Sequence, residues 1–200
     1  MRLPPFAYRA LQWLVHRDYA EHRRKIGEWY ANQQGEPVLE LGCGTGAYCD
    51  FFPPGTYTGI DFDAARIEEA RRLHPRGTFE VGDASILPAD FLRRFPMILC
   101  VNFFHHLSDE QSGRVLRAIR AAGAQRPVRL LAGEPTLPRF RDNPVGFLLA
   151  KADDGDYVRP LGETERLFGE ALRATTVGRL NPIWPVPGGF FELEFPAPVP

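Results

Sequence analysis

The middle of the chain places acids, glycines and histidines where they can serve one site. Glu40 stands just ahead of Gly42-Cys43-Gly44-Thr45-Gly46, and three glycines so close together let a backbone approach a ligand without side-chain interference. A carboxylate at that place repels phosphate and suits a cationic group, such as the amino group of an amino acid. Asp61 follows the glycine run by about twenty residues, the spacing at which a carboxylate accepts hydrogen bonds from ribose hydroxyls. Asp83 can accept from an exocyclic amine such as that of adenine. Further on, Asn102-Phe103-Phe104-His105-His106 brings two imidazoles, whose ordinary pKa near neutrality suits removal of a proton from a hydroxyl. Either ring can instead be buried and hold its turn by hydrogen bonds.

These residues need rigid elements to bring them together, and the chain alternates strands with helices. Pro37-Val38-Leu39-Glu40-Leu41 predicts a strand running into the glycines, with a helix from Ala47 to Phe52 stopped by Pro53-Pro54-Gly55. Tyr57 to Ile60 predicts a second strand ending at Asp61, followed by a helix capped by Asp63 and running through Arg72. Thr78 to Val81 leads into Gly82-Asp83. Met97 to Val101 is wholly apolar, as a central parallel strand is. Ser108 caps a helix to about Ala122, and Val128 to Ala132 predicts a fifth strand ending at Gly133-Glu134-Pro135. After that the pattern weakens: Glu163 to Ala171 reads as helix, and Thr175 to Leu180 and Phe190 to Phe195 as strands. The stretch Asn181 to Gly189 reads as a proline-rich connection, and Asp153 to Arg159 as a solvated turn. Such alternation demands a parallel sheet with right-handed crossovers and helices on both faces. Ahead of it, Phe6 to Asn32 has helical apolar spacing, with Asp18 placed to cap its second half.

On this reading Glu40, Asp61 and Asp83 fall at successive strand ends on one sheet edge. An amino group, a ribose diol and an adenine amine are three donors found together on S-adenosylmethionine. The stretch from Val38 to about Glu134 resembles a class I S-adenosylmethionine-dependent methyltransferase of the small-molecule branch. The resemblance lies in VLELGCGTG at 38–46, GID at 59–61, VGDA at 81–84 and the run Asn102 to Leu107. It implies an α/β, Rossmann-like, seven-stranded sheet of order 3-2-1-4-5-7-6 with the last strand antiparallel. It also implies cofactor contacts at Glu40, Gly42, Cys43, Gly44, Gly46, Asp61, Phe62, Asp83, Ala84 and Asn102. Among these, Glu40 and the glycines would hold the methionine part, Asp61 the ribose, and Asp83 with Ala84 the adenine. Ala122-Gly-Ala-Gln-Arg-Pro127 departs mildly from the family's Pro-Gly-Gly turn. Residues 1–34 are expected to form an N-terminal helical lid on a methyltransferase domain of residues 35–200.

The expected activity is methyl transfer to a small, partly apolar metabolite, with O-methylation one form of it. His105 is expected to face the methyl group as base, and His106 to turn into the fold. Nucleobase amino methylation is disfavoured, because the run after the fourth strand lacks the paired prolines of that chemistry. A metal held by Asn102 and Glu134 is set aside, since hard divalent cations want about six oxygens. Two rival readings stay open: a nicotinamide-dependent oxidoreductase, which Glu40 opposes, and a non-catalytic S-adenosylmethionine-binding subunit. Aromatics available to roof a substrate pocket are Tyr8, Trp13, Tyr19, Trp29, Tyr30, Phe147, Tyr157 and Trp184, though most suit a core.

Composition limits the alternatives. The 200 residues are 44% hydrophobic and 24% charged, which excludes wholesale disorder. A net charge of −1 does not favour a nucleic-acid backbone binder. No apolar run reaches the ~18–20 residues of a membrane span. Three cysteines without Cys-x-x-Cys spacing, and no apolar stretch of signal-peptide length near the start, point to a cytoplasmic protein with free thiols.

Overall fold

A computed structural model of the protein describes residues 20–33, 35–153, 155–179 and 186–195. Seven strands form one sheet: β1 (Val38–Leu41), β2 (Tyr57–Asp61), β3 (Thr78–Val81), β4 (Met97–Val101), β5 (Val128–Pro135), β6 (Leu172–Arg179) and β7 (Pro187–Phe195). Their order is β3-β2-β1-β4-β5-β7-β6. The first five are parallel, and β7 runs antiparallel to both β5 and β6. This is the Rossmann-like arrangement expected for a class I methyltransferase. Among the described residues six α-helices accompany it: α1 (Ala20–Tyr30), α2 (Ala64–Leu73), α3 (Ala89–Leu92), α4 (Asp109–Gly123), α5 (Pro144–Lys151) and α6 (Leu161–Phe168).

The period-two geometry of strands divides the central residues between two apolar layers. Val38, Met97, Leu99 and Leu131 face Ile26 and Trp29 of α1 and Ile67 of α2. Their neighbours Leu39, Ile98, Cys100 and Leu130 face Val115 and Ile119 of α4 and Phe168 of α6. Helix α1 thus enters the sheet's own core; the rest of the expected lid, residues 1–19 and 34, lies outside the described residues, as do Asp18, Trp13 and Trp184.

Local signals account for the helix starts. Asp63 accepts from the backbone N–H of Ala65 and Arg66 at 2.9 and 3.3 Å. Ser108 and Gln111 form a reciprocal capping box at α4. Four readings need correction. The helix expected over 47–52 is only a 3-10 turn at Cys49–Phe51, because Pro53 and Pro54 follow before a full turn can close. Helices α3 and α5 were not expected, although Asn143 caps α5 and Pro144 occupies its first turn. β7 begins at Pro187, inside the presumed connection; a first-residue proline is compatible with a strand. The fourth concerns residues 153–159, whose packing belongs to the site below.

Removal of the α4 cap gives a direct test of this local account. Ser108→Ala is expected to cost about 1 kcal/mol of unfolding free energy and lower Tm by about 2–4 °C, read by urea titration and calorimetry. An unchanged stability would show that α4 is held by its Val115 and Ile119 face alone.

Candidate active site

The glycine turn joins β1 to the 3-10 turn at the carboxyl edge of the sheet. Gly42 has φ 74°, and a Cβ there would lie 2.7 Å from a ring carbon of Phe103. Gly44 has φ 52°, yet a Cβ there would meet nothing within 4 Å. The first glycine lets two turns of the protein pack together, whereas the second faces open space. The Gly44 N–H donates to Asp61 Oδ2 at 2.9 Å, and the Asp63 N–H donates to Asp61 Oδ1 at 2.9 Å. Asp61 is therefore held rigidly at the end of β2, with lone-pair capacity left on both oxygens for further donors.

Glu40 lies on the opposite face of β1 from Leu39 and Leu41 and is buried. Tyr57 donates its hydroxyl to Glu40 Oε2. Burial pushes the Glu40 carboxyl up to about 8, against the lowering effect of Tyr57 and with a further raising contribution from Asp61. A cationic group arriving beside Glu40 would favour its ionised form. Burial also pushes the Cys43 thiol up, with Glu40 and Asp61 adding to the effect, so Cys43 packs as an inert thiol. All three cysteines are free and buried, as expected.

At the edge beyond β2 and β3 the site opens to solvent. Asp83 is exposed and accepts from the Ser85 N–H at 2.8 Å. Phe62 is 79% exposed and Ile86 73% exposed, so two apolar side chains adjoin the acceptors Asp61 and Asp83 in sequence. Open room above Gly44, a cradled carboxylate at Asp61, a buried acid at Glu40 and apolar surface near Asp83 fit the parts of S-adenosylmethionine. Glu40, Asp61 and Asp83 would take its amino, ribose and adenine groups respectively.

The second turn follows β4. Asn102 has φ 53°, the one non-glycine residue with positive φ among the described residues, and asparagine tolerates that conformation best after glycine. Its N–H donates to the Gly133 carbonyl at 2.8 Å. The chain then wraps one buried carboxylate, Glu134 at the end of β5. Glu134 Oε1 accepts from the N–H groups of Phe103 and Phe104 at 2.9 and 2.8 Å. Glu134 Oε2 accepts from the N–H of His105 at 3.1 Å and lies 2.8 Å from His105 Nδ1.

The two histidines are oriented opposite to the expectation. His105 is buried and His106 is exposed, with ring centroids 4.1 Å apart. Capture of Nδ1 by Glu134 turns the His105 ring inward, and its Nε2 faces Asp153 at 3.4 Å. Burial alone would lower the His105 pKa, but the hydrogen bond and charge of Glu134, with Asp153, outweigh it and leave the pKa raised.

Residue 153 and residues 155–159 are not simply a solvated turn. They strap the β4 turn from outside. Tyr157 N–H donates to the His105 carbonyl at 2.9 Å. A Cβ at Gly155 would sit 2.0 Å from the His105 ring, so only glycine allows this contact. Arg159 is buried and donates to the carbonyls of Phe104 and Leu107 at 2.9 and 2.7 Å and to Asp109 Oδ1 at 2.7 Å. Arg159 and the clasping role of Glu134 escaped the sequence reading. The available signal was that Glu134 is a further acid at a strand end on the same sheet edge. Of the roofing aromatics, Trp29 and Tyr30 are core residues, and Tyr157 is 42% exposed.

The strand order, with acids along its carboxyl edge, is the arrangement expected of a class I S-adenosylmethionine-dependent methyltransferase. Residues 38–125 match a family model described as a methyltransferase domain. A fatty-acid O-methyltransferase of Mycolicibacterium smegmatis is 41% identical over 64 residues, covering 29% of this chain and 23% of that protein. Magnesium protoporphyrin IX methyltransferase from Synechocystis PCC 6803, solved with bound SAH, superposes with a TM-score of 0.65 at 13% identity, over 96% of this chain and 88% of that one. N-methyltransferase NodS from Bradyrhizobium japonicum gives 0.64 at 14% identity, over 88% and 96%. Over residues 38–125 the chain is thus similar to methyltransferase domains, whose cofactor is S-adenosylmethionine, and it spans about a quarter of the length of the curated relative. No helix among the described residues is long and apolar enough to cross a membrane.

Two measurements test the site. Asp61→Ala should weaken S-adenosylmethionine binding by roughly 1.5–3 kcal/mol in calorimetry, as lost charge-assisted hydrogen bonds do; wild-type affinity would place the ribose elsewhere. The second is the pH dependence of stability. The folded pKa values of Glu40 and His105 are raised, so their contributions are fully present below the unfolded values of 4.5 and 6.5 and are lost as pH rises through the folded ones. Unfolding free energy should therefore fall between about pH 4.5 and pH 8 through Glu40, with His105 adding to the fall above pH 6.5, and Glu40→Gln should flatten that slope. A slope unchanged by the substitution would show that Glu40 titrates normally.

Proposed function

We propose that this domain methylates an oxygen of a small, partly apolar metabolite, and that a carboxylic acid is the acceptor class it serves best. The observation that carries this reading is the state of His105. Its ring is buried, with Nδ1 2.8 Å from Glu134 Oε2 and Nε2 facing Asp153 at 3.4 Å, so neither nitrogen is open to take a proton from an acceptor. A carboxylate acceptor arrives already ionised, because ordinary carboxyl pKa values lie near 4. The partial likeness to a fatty-acid O-methyltransferase supports the same class. So does exposed apolar surface at Phe140, Val145 and Leu148, where the β5–β6 segment offers contact to an apolar tail.

When bound, S-adenosylmethionine supplies a methyl group on a positively charged sulfonium. The protein's part is alignment and exclusion of water. Glu40 and the turn at Gly44 orient the amino-acid end, and Asp61 orients the ribose. Glu134 fixes the β4 turn so that Asn102 and Phe103 border the cofactor site; Phe103 closes against Gly42. His105 acts through that turn, as a positioning residue. A second reading rests on the exposed ring of His106: a hydroxyl acceptor would use it as base.

Turnover against a panel of carboxylic acids, phenols and amines decides between these. The expected outcome is ester formation with aliphatic acids, with no acidic limb near pH 6–7 in the pH–rate profile and His106→Ala within about threefold of wild type. A histidine limb that disappears in His106→Ala would establish the hydroxyl reading instead. Turnover confined to amines would overturn both.

A further inference from the structure

Below the glycine turn, away from Asp83 and the β4 turn, a second group of reactive side chains converges. Cys49 and Asp50 lie on the 3-10 turn that replaces the expected first helix, and His74 is the C-cap residue of α2. Their ligand atoms, one from each, all lie within 4.8 Å of one another. His74 Nδ1 and Asp50 Oδ2 are 3.1 Å apart. Two donors bound at about 2.0 Å to one tetrahedral ion stand about 3.3 Å apart, so this pair already has the spacing of a tetrahedral edge.

The surroundings hold the three donors in place. The His74 N–H donates to Ala70, and the His74 carbonyl accepts from Gly77 at 3.0 Å, which fixes the imidazole's backbone from both sides. A Cβ at Gly77 would lie 2.5 Å from Cys49 Sγ, so the missing side chain provides the room for the thiol. No hydrogen-bond partner for that thiol occurs among the described residues. A small cavity adjoins the group, lined by Cys49, Asp50, Tyr57 and Arg76 among others. Arg76 stands 3.9 Å from Asp50 and is largely exposed, so it can swing aside.

We propose that Cys49, Asp50 and His74 form a three-ligand binding site for zinc(II), with water completing the tetrahedron. The donor set of one sulfur, one nitrogen and one oxygen suits this borderline ion rather than calcium or magnesium, which take oxygen ligands. Binding replaces the Cys49 S–H proton with the metal, and the proton leaves to solvent. The His74 ring also lies 3.1 Å from where a Gly46 Cβ would be, so the site sits directly beneath the third glycine of the cofactor turn.

Cobalt(II) serves as the spectroscopic probe and zinc as its competitor, on the intact chain. The expected result is saturation at about one ion per chain, with a thiolate-to-cobalt charge-transfer band and tetrahedral visible bands. Zinc should displace the cobalt. Cys49→Ser should abolish the charge-transfer band, and His74→Ala should weaken zinc binding at least tenfold. Asp50→Asn, at an exposed side chain, should weaken it as well. Cys100→Ser, whose thiol is buried in β4, should change nothing in the spectrum. A charge-transfer band that survives in Cys49→Ser, zinc affinity unaltered in both His74→Ala and Asp50→Asn, or no saturable binding by the wild type would each overturn the proposal.

Discussion

The buried carboxylate of Glu134 is the interaction on which the candidate active site depends. An ionised carboxylate away from water costs several kcal/mol unless its lone pairs are filled. Here three successive backbone N–H groups and one imidazole nitrogen fill them. The same bonds offset the cost of positive φ at Asn102, on the order of 1–2 kcal/mol. A turn that would otherwise be one of several loop conformations becomes a single one. From that fixed turn Phe103 reaches the Gly42 backbone, so the segment after β4 and the glycine turn after β1 form one continuous surface.

The acids of the sheet edge do different work because their surroundings differ. Glu134 is saturated by donors of the protein and is therefore structural. Asp61 has one donor on each oxygen and keeps capacity for a ligand. Glu40 is buried, which raises its proton affinity, and the Tyr57 hydroxyl only partly offsets that. Asp83 is exposed, held only at its own cap. Four carboxylates at neighbouring strand ends thus range from a saturated clasp to an exposed cap, and hydration and donor count decide which is which.

The elements around them were legible to different degrees. The parallel strands announced themselves through short apolar runs ended by Gly or Asp, and the caps Asp63 and Ser108 marked their helices. The failures have different causes. The stretch after Gly46 had a helical apolar pattern, but Pro53 and Pro54 left no length for a helix. Residues 153–159 look solvated because they are acidic and glycine-containing, yet Arg159 is buried by bonds to carbonyls fifty residues earlier. No local pattern reports a partner that distant.

What the sequence determined by itself was a parallel sheet of alternating strands and helices, with glycines and acids at the strand ends; the order of the strands was legible only through the resemblance those motifs carry. Apolar runs, caps and turn residues are local signals, or nearly so. Only the tertiary structure decided which histidine points inward, because that choice depends on whether an imidazole or solvent fills the last lone pair of Glu134. It also decided that Cys49, Asp50 and His74 meet, since a helix shortened by two prolines brings one turn beside the end of another helix. Chain-local chemistry selects the elements. Long-range satisfaction of buried polar groups selects how the side chains between them are aimed.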